Sequence, residues 1–306
     1  MKVLVTGGAG FIGSHIVDAL IARGARTGVL DNLSTGRFEN IDPRVNFYHG
    51  DLRDEKFVRE TLQAERPDYV IHQAAQVDVQ TSINAPAVDA AVNITGSINL
   101  LEACRACGVK KIVYASSAAV YGNPRYLPVD EEHPLQPLSG YGVSKHTVEH
   151  YLALYHALYD LDYTVLRYAN VYGPRQDASG EGGVVAIFTD RLLRGERPRI
   201  FGDGKQTRDF IFVQDVVEAN LAALNAGSGG IYNVSTGIPT SVNELFAILR
   251  QITGSDIEPE YCPPRPGDIE HSYLDERAAA GLQWRAAREL ADGLRSLVEY
   301  SKHAPR

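Results

Sequence analysis

The sequence predicts an α/β chain: a doubly wound parallel sheet joined to a second, smaller α/β domain. Three observations lead there. Short, almost wholly apolar runs alternate with segments of helical spacing through the first half. A glycine-rich turn connects the first run to the first helix. The alternation then breaks after about residue 170, where glycines and prolines crowd in. Strands alternating with helices build right-handed βαβ units, whose parallel strands are covered by helices on both faces and are therefore apolar on both. A chain of 306 residues is long enough for about two domains.

In order, Val3-Leu4-Val5 is the first strand and Gly13 to Arg23 the first helix. Thr27–Leu30 and Val45–Tyr48 are the second and third strands. Asp54 to Glu65 has helical spacing, with Phe57, Val58 and Leu62 on its apolar face. Tyr69–Ile71 is the fourth strand and Ala87 to Ala106 a long helix. Lys111–Ala115 is the fifth strand, Tyr141 to Leu158 another long helix, and Tyr163–Leu166 the sixth strand. Beyond Asn170, Pro174, Gly180, Gly182, Gly183, Pro198, Gly202 and Gly204 punctuate the chain, and Pro263-Pro264-Arg265-Pro266-Gly267 does so later. These predict a loop-rich second domain, with domains at 1–170 and 171–306. Ile231–Val234 is expected to return as a strand of the main sheet.

Hydrophobic residues make up 44% and charged residues 22%, a globular balance that excludes disorder as the main state. The net charge of -8, without any Lys/Arg-rich run, argues against a nucleic-acid partner. No stretch approaches the ~18 uninterrupted apolar residues of a membrane helix, and the N-terminus lacks the layout of a signal peptide. Three cysteines, Cys104, Cys107 and Cys262, are an odd, sparse set that suits a reducing compartment, hence the cytoplasm. Cys104 and Cys107 fall within a helical pattern and are expected as small packed residues rather than a redox or metal site.

Gly7, Gly10 and Gly13 lie in Thr6-Gly-Gly-Ala-Gly-Phe-Ile-Gly13, between the first strand and the first helix. The first glycine permits a tight turn, the second lets backbone approach a pyrophosphate, and the third allows helix and strand to pack closely. The helix N-terminus adds free N–H groups and partial positive charge. Asp31 follows Gly13 by 18 residues, at the end of the second strand, where a carboxylate accepts hydrogen bonds from an adenosine ribose. An acid there disfavours a 2′-phosphate. The pattern therefore predicts a Rossmann-type domain that binds NAD rather than NADP. Asp51-Leu52 ends the third strand near the expected adenine, although an aspartate there also serves as a helix N-cap.

Tyr141 and Lys145 open the second long helix and share one of its faces. An ammonium beside a tyrosine favours the phenolate, which lowers a pKa that starts near ~10 and makes a general base for a sugar hydroxyl. Ser117 ends the fifth strand, and in an open parallel sheet ligands bind beyond the carboxyl ends of the strands. Ser117, Tyr141 and Lys145 are the candidate catalytic residues.

With these residues in view, the chain resembles the extended short-chain dehydrogenase/reductases and, within them, the UDP-glucose 4-epimerases. The resemblance rests on Thr6–Gly13, Asp31–Gly36, Val70–Ala75, Ala115–Gly122, Tyr141–Lys145, Leu166–Arg175, Thr207–Phe210 and Arg265–Asp268, in the expected order across nearly the whole chain. It implies that Tyr141 removes the sugar 4-hydroxyl proton while C4 gives hydride to a retained NAD⁺. The 4-keto sugar then turns over and takes the hydride back on its other face. Lys145 would hold the nicotinamide ribose and Ser117 the reacting oxygen. Cofactor contacts are implied for Gly7, Gly10, Phe11, Ile12, Gly13, Asp31, Asn32, Ser34, Thr35, Gly36, Asp51, Leu52, Gln73, Ala74, Ala75, Gln76, Asn93 and Tyr168. Asn170, Val184, Arg208, Arg265 and Asp268 would meet the UDP-sugar, the two guanidiniums matching the diphosphate.

The chain also departs from the family pattern. Gln73-Ala-Ala-Gln76 replaces a phenylalanine, and Val77 a lysine, found near the nicotinamide in some epimerases. Ser272 stands four residues after Asp268, where epimerases restricted to plain hexoses carry tyrosine; the smaller residue leaves room for N-acetylhexosamine nucleotides. A sugar-nucleotide 4,6-dehydratase needs an Asp-Glu pair where this chain has Ala118-Ala119. UDP-glucuronate 4-epimerase or decarboxylase chemistry stays open, with Arg175 or a nearby hydroxyl as a carboxylate partner. A non-catalytic NAD sensor is the alternative of a different class, for which a Ser/Tyr/Lys set has no use. The two long helices are apolar on more than one face, and the family pairs them between subunits, so a homodimer is expected.

Overall fold

The apolar runs become parallel strands because each is followed by a helix that carries the chain back across the sheet. The structure, a computed structural model, describes residues 1–178, 183–265 and 268–303. Gly180, Gly182, Pro266 and Gly267, named above as loop punctuation, lie outside the described residues.

The first half runs β1 (Lys2–Thr6), α1 (Phe11–Ala22), β2 (Arg26–Asp31), β3 (Asn46–His49), α2 (Glu55–Glu65), β4 (Tyr69–His72), α3 (Val79–Asn84), α4 (Pro86–Ala90), α5 (Gly96–Cys107), β5 (Lys111–Ser117), α6 (Gly140–Tyr159) and β6 (Asp162–Tyr168). The second half runs β7 (Asn170–Tyr172), α7 (Val184–Leu193), β8 (Arg199–Phe201), β9 (Thr207–Phe212), α8 (Val213–Ala223), β10 (Gly230–Val234), β11 (Pro239–Ser241), α9 (Val242–Thr253), β12 (Glu260–Cys262) and α10 (Leu290–His303).

Seven strands form the main sheet in the order β3-β2-β1-β4-β5-β6-β10, every neighbouring pair parallel. The order reverses direction between β1 and β4, which opens a crevice at their carboxyl ends. β10 is the expected returning strand, and it pairs with β6 from Gly230–Thr164 to Val234–Tyr168. Side chains alternate between two cores. Val3, Val5, Val29 and Val113 pack with Ile16, Val17, Val216 and Val217 of α1 and α8. Leu4, Leu30, Val70 and Ile112 pack on the other face with residues of α2, α5 and α6. Double burial explains why these strands read as nearly unbroken apolar runs.

Two features differ from the expected elements. The helix predicted over 87–106 is α4 and α5 joined by a π-helical turn at Ala91–Thr95. One inserted residue shifts the side chains by a fraction of a turn and brings Asn93 inward, a device common at functional sites. In the second half, β7, β9 and β11 form a three-stranded sheet and β8 pairs with β12; most of these strands are too short to show a period. α7, α9 and α10 cover β9 over their own core, which includes Phe188, Phe210, Leu245 and Leu297. No described helix is long and apolar enough to cross a membrane.

Candidate functional site

The glycine turn sits at the carboxyl end of β1. Gly7 has φ +70°, and a Cβ there would stand 2.7 Å from the Ala74 backbone nitrogen. A Cβ on Gly13 would collide with the Gly7 carbonyl oxygen. Both positions therefore exclude side chains and leave a bare backbone cradle before α1. Asp31 is buried at the end of β2. Its Oδ2 accepts from Ala9 N at 3.0 Å and its Oδ1 from Leu33 N at 2.8 Å, which fixes the carboxylate and leaves lone pairs for further donors. Asn32 accepts from Ser34 N at 3.0 Å and donates to Asp51 at 2.8 Å. Thr35 and Gly36 continue this loop, which Arg37 ties back through its N–H to Ala9 O at 3.0 Å. Arg53 hydrogen-bonds Asp51 through Nε at 2.9 Å and Nη2 at 2.8 Å, holding that carboxyl well below its usual range. Leu52 is buried beside them. A bare turn at a helix start with a fixed acid on the next strand fits a pyrophosphate-linked dinucleotide carrying a free ribose 2′-hydroxyl.

Across the crevice, Ser117 ends β5 and its Oγ accepts from Ala119 N at 3.2 Å. Tyr141 is the second residue of α6, whose N-cap Ser139 accepts from Gly142 N. That end of the helix favours negative charge. Lys145, one turn on, is buried. Its Nζ donates to Ala115 O at 2.7 Å and lies 5.8 Å from the Tyr141 ring centre and 5.1 Å from that of Tyr114. Burial brings the ammonium down to about 8, while Asp89 and Glu149 act to raise it.

One expectation needs correction. Tyr141 is not depressed by its lysine in the free chain: burial raises its pKa, a hydrogen bond with Ser117 opposes that rise, and Asp89 adds to it. The ammonium is turned to a carbonyl rather than to the phenol, so desolvation wins.

The cofactor residues predicted from the middle of the chain form an internal network. Asn93 Nδ2 has Gln76 O at 3.0 Å, Asp89 Oδ1 at 3.1 Å and Ser144 Oγ at 2.9 Å, and Gln76 N donates to Asn93 Oδ1 at 2.8 Å. Gln73 donates to the Tyr168 hydroxyl at 2.9 Å, and Asn220 of α8 donates to the same oxygen at 2.7 Å. Ala74 N donates to Thr6 Oγ1 at 3.3 Å, which seats Ala74 and Ala75 against the end of β1. Phe11 and Ile12 open α1.

In the second half of the chain, Asn170 begins β7 and donates to Asp209 O at 3.0 Å, and Val184 begins α7. Arg208 is half-buried on β9; burial lowers its pKa and Asp268 raises it. The Arg265 guanidinium lies 3.9 Å from the Phe201 ring centre. Arg265, Phe201 and Asp268 line one surface cleft, at some remove from Tyr141 in sequence and on separate elements. Sequence reasoning missed Asp89, Tyr114, Glu149 and Asn220. Glu149 alone carried a signal, at the next helical turn after Tyr141 and Lys145.

The family described as the NAD dependent epimerase/dehydratase family matches residues 3–235. The UDP-glucose 4-epimerase of Mycolicibacterium smegmatis is 45% identical over 312 residues, covering 99% of each chain. The Thermotoga maritima UDP-glucose 4-epimerase, solved with UDP-glucose, superimposes with a TM-score of 0.97 at 49% identity, covering 99% of both chains. The Thermus thermophilus UDP-glucose 4-epimerase in complex with NAD gives 0.94 at 45% identity over 100% of both.

Proposed function

The chain belongs to the NAD-dependent epimerase/dehydratase family, and we propose that it is an enzyme that interconverts UDP-galactose and UDP-glucose, inverting C4 through a transient 4-keto sugar. The observation that carries this is the convergence of Ser117, Tyr141 and Lys145 at the carboxyl end of β5, facing a glycine cradle with a fixed acid at the end of β2. NAD⁺, when bound, supplies a reversible hydride acceptor and a positive charge. The residues fit it: Gly7, Gly10 and Gly13 with Phe11 and Ile12 take the pyrophosphate, Asp31 the adenosine ribose, and Lys145 the nicotinamide ribose.

Tyr141 takes the proton of the sugar 4-hydroxyl and returns it at the same oxygen, while Ser117 holds that oxygen in place. The start of α6 stabilises the phenolate. Arg208 and Arg265 hold the diphosphate and Asp268 the uridine ribose, so the sugar can turn while its nucleotide stays fixed. Dinucleotide binding falls to residues 1–170 with β10, and nucleotide-sugar binding to 171–306. Ser272, with its small side chain, supports a second activity on UDP-N-acetylhexosamines; turnover of those sugars unchanged by Ser272→Tyr would count against it.

The active form is a homodimer. Val143, Leu154 and Leu158 lie on one stripe of α6 and are 49%, 47% and 61% exposed, with exposed Ile83 and Val88 on the neighbouring α3 and α4. An exposed apolar stripe of this kind supports an interface between two copies of the chain. The three cysteines are free, which supports a reducing compartment, the cytoplasm.

UDP-galactose deuterated at C4 tests the reaction. Recovery of the label at C4 of UDP-glucose, without build-up of reduced nicotinamide absorbance, is expected from the wild type and lost in Tyr141→Phe. Stoichiometric accumulation of reduced nicotinamide would instead mean a dehydrogenase.

A further inference from the structure

Four fully buried charged groups surround the catalytic end of α6: Asp89, Lys145, Glu149 and Arg167. Two of them satisfy each other. Arg167 donates to Glu149 through Nε at 3.0 Å and Nη2 at 2.8 Å, Ser116 donates to the same carboxylate at 2.6 Å, and His146 Nδ1 stands 3.1 Å from it. That leaves one buried cation and one buried anion.

Lys145 has a carbonyl and two aromatic rings around its ammonium and forms no direct ion pair among the described residues. Among the described residues the side-chain hydrogen bonds to Asp89 come from amides: its Oδ1 accepts from Gln76 Nε2 at 3.0 Å and Asn93 Nδ2 at 3.1 Å. Asn93 is held by the π-helical turn and reaches Ser144 Oγ, which in turn donates to Tyr141 O at 3.0 Å. A chain of three hydrogen bonds therefore ties Asp89 to the backbone of the catalytic tyrosine.

An isolated charge is costly in a buried site, and charge balance leaves a single pairing. We infer that Asp89 is the counter-charge of Lys145 and a positioning residue for the Tyr141–Lys145 pair, fixed in that role by Gln76 and Asn93. The inference deepens the function proposed above and rests on it for its catalytic meaning.

The groups that face the pair are few. Lys145 meets Asp89 from α4, Glu149 from its own helix, His72 from β4 and Tyr114 from β5. Tyr141 meets Asp89, Tyr114 and Tyr168. His72 is neutral, its pKa pulled down to about 3 by burial, and Glu149 is compensated by Arg167. Asp89 is thus the uncompensated charge, and it acts on both members with one sign: it keeps the proton on Lys145 and disfavours the Tyr141 phenolate. Removing it moves both ionisations to lower pH.

The test is an NMR titration of the lysine Cε resonances in the full-length chain, with the Lys145 signal assigned by Lys145→Met. In the wild type, the Lys145 midpoint is expected at about 8, burial lowering it. In Asp89→Asn the midpoint falls by about one pH unit, a roughly tenfold change in proton affinity, while Asp89→Glu restores it. The alkaline limb of the pH profile of kcat/KM for UDP-galactose shifts the same way. A Lys145 midpoint unmoved by Asp89→Asn, or a loss of kcat that is uniform across pH, overturns the inference. Should Asp89→Asn fail to fold, Asp89→Ser removes the charge with a smaller polar group and carries the same titration. Absence of turnover in the wild type would instead sink the proposed reaction, and the lysine titration still decides whether the two charges are paired.

Discussion

His72 and Glu149 show how single residues make the catalytic end of the sheet sensitive to acid. His72 is fully buried, with Nδ1 2.7 Å from Thr6 Oγ1 and Nε2 2.9 Å from Ser97 Oγ, and burial takes its pKa from 6.5 to about 3. The unfolded chain therefore binds this proton below pH 6.5 while the folded chain does not, so stability is lost as pH falls from 6.5 toward 3. The loss is on the order of 3 kcal/mol by pH 4. Glu149 adds to it lower down. Burial opposes its charged form, but hydrogen bonds from His146 and Arg167 outweigh burial and leave the carboxyl at about 2. Its contribution is present above the ordinary carboxylate range and disappears as pH falls from 4.5 to about 2. Urea unfolding at pH 7 and pH 4 checks this: the wild type should lose at least the stated amount, and His72→Gln should be weaker at pH 7 yet lose markedly less between the two.

At the scale of the element, the turn between β1 and α1 admits no side chain at Gly13. Gly13→Ala must push the turn away from Gly7 O, and NAD affinity by fluorescence titration is expected to drop at least about tenfold, with the fold retained by circular dichroism. This element was fully legible in the sequence because glycine spacing, strand and helix start are all local. The same holds for Tyr141 and Lys145, whose shared face follows from helical periodicity. Asp89 was not legible: Asn93 is only one helical turn away, but Gln76 and the buried Lys145, its inferred counter-charge, come near it only by tertiary packing. The π-helical turn at Ala91–Thr95 hid inside a helix whose period it blurs. The strands β7, β8, β11 and β12 have three residues each, too few for an alternation to register. The raised proton affinity of Tyr141 is illegible for a related reason, since sequence supplies the neighbouring lysine but neither the depth of burial nor the Ala115 carbonyl that accepts the ammonium's hydrogen bond.

For the whole molecule, the main sheet brings the glycine turn after β1, Asp31 of β2 and Ser117 of β5 to its carboxyl edge, while β7 and β9, proposed above to meet the nucleotide-sugar, belong to a separate three-stranded sheet. The exposed stripe of α6 runs along the outside of this assembly. Leu154→Glu combined with Leu158→Lys is expected to convert the proposed homodimer to a monomer of 33.5 kDa by light scattering, without a change in secondary structure. A wild-type chain that is already monomeric at micromolar concentration would remove the interface.

The most direct measurement is proton NMR of the purified protein incubated with UDP-galactose, first without and then with added NAD⁺. Signals of UDP-glucose growing to a fixed ratio, reached equally from either sugar, are predicted. No interconversion in either direction with NAD⁺ supplied would contradict the account and turn attention to UDP-glucuronate.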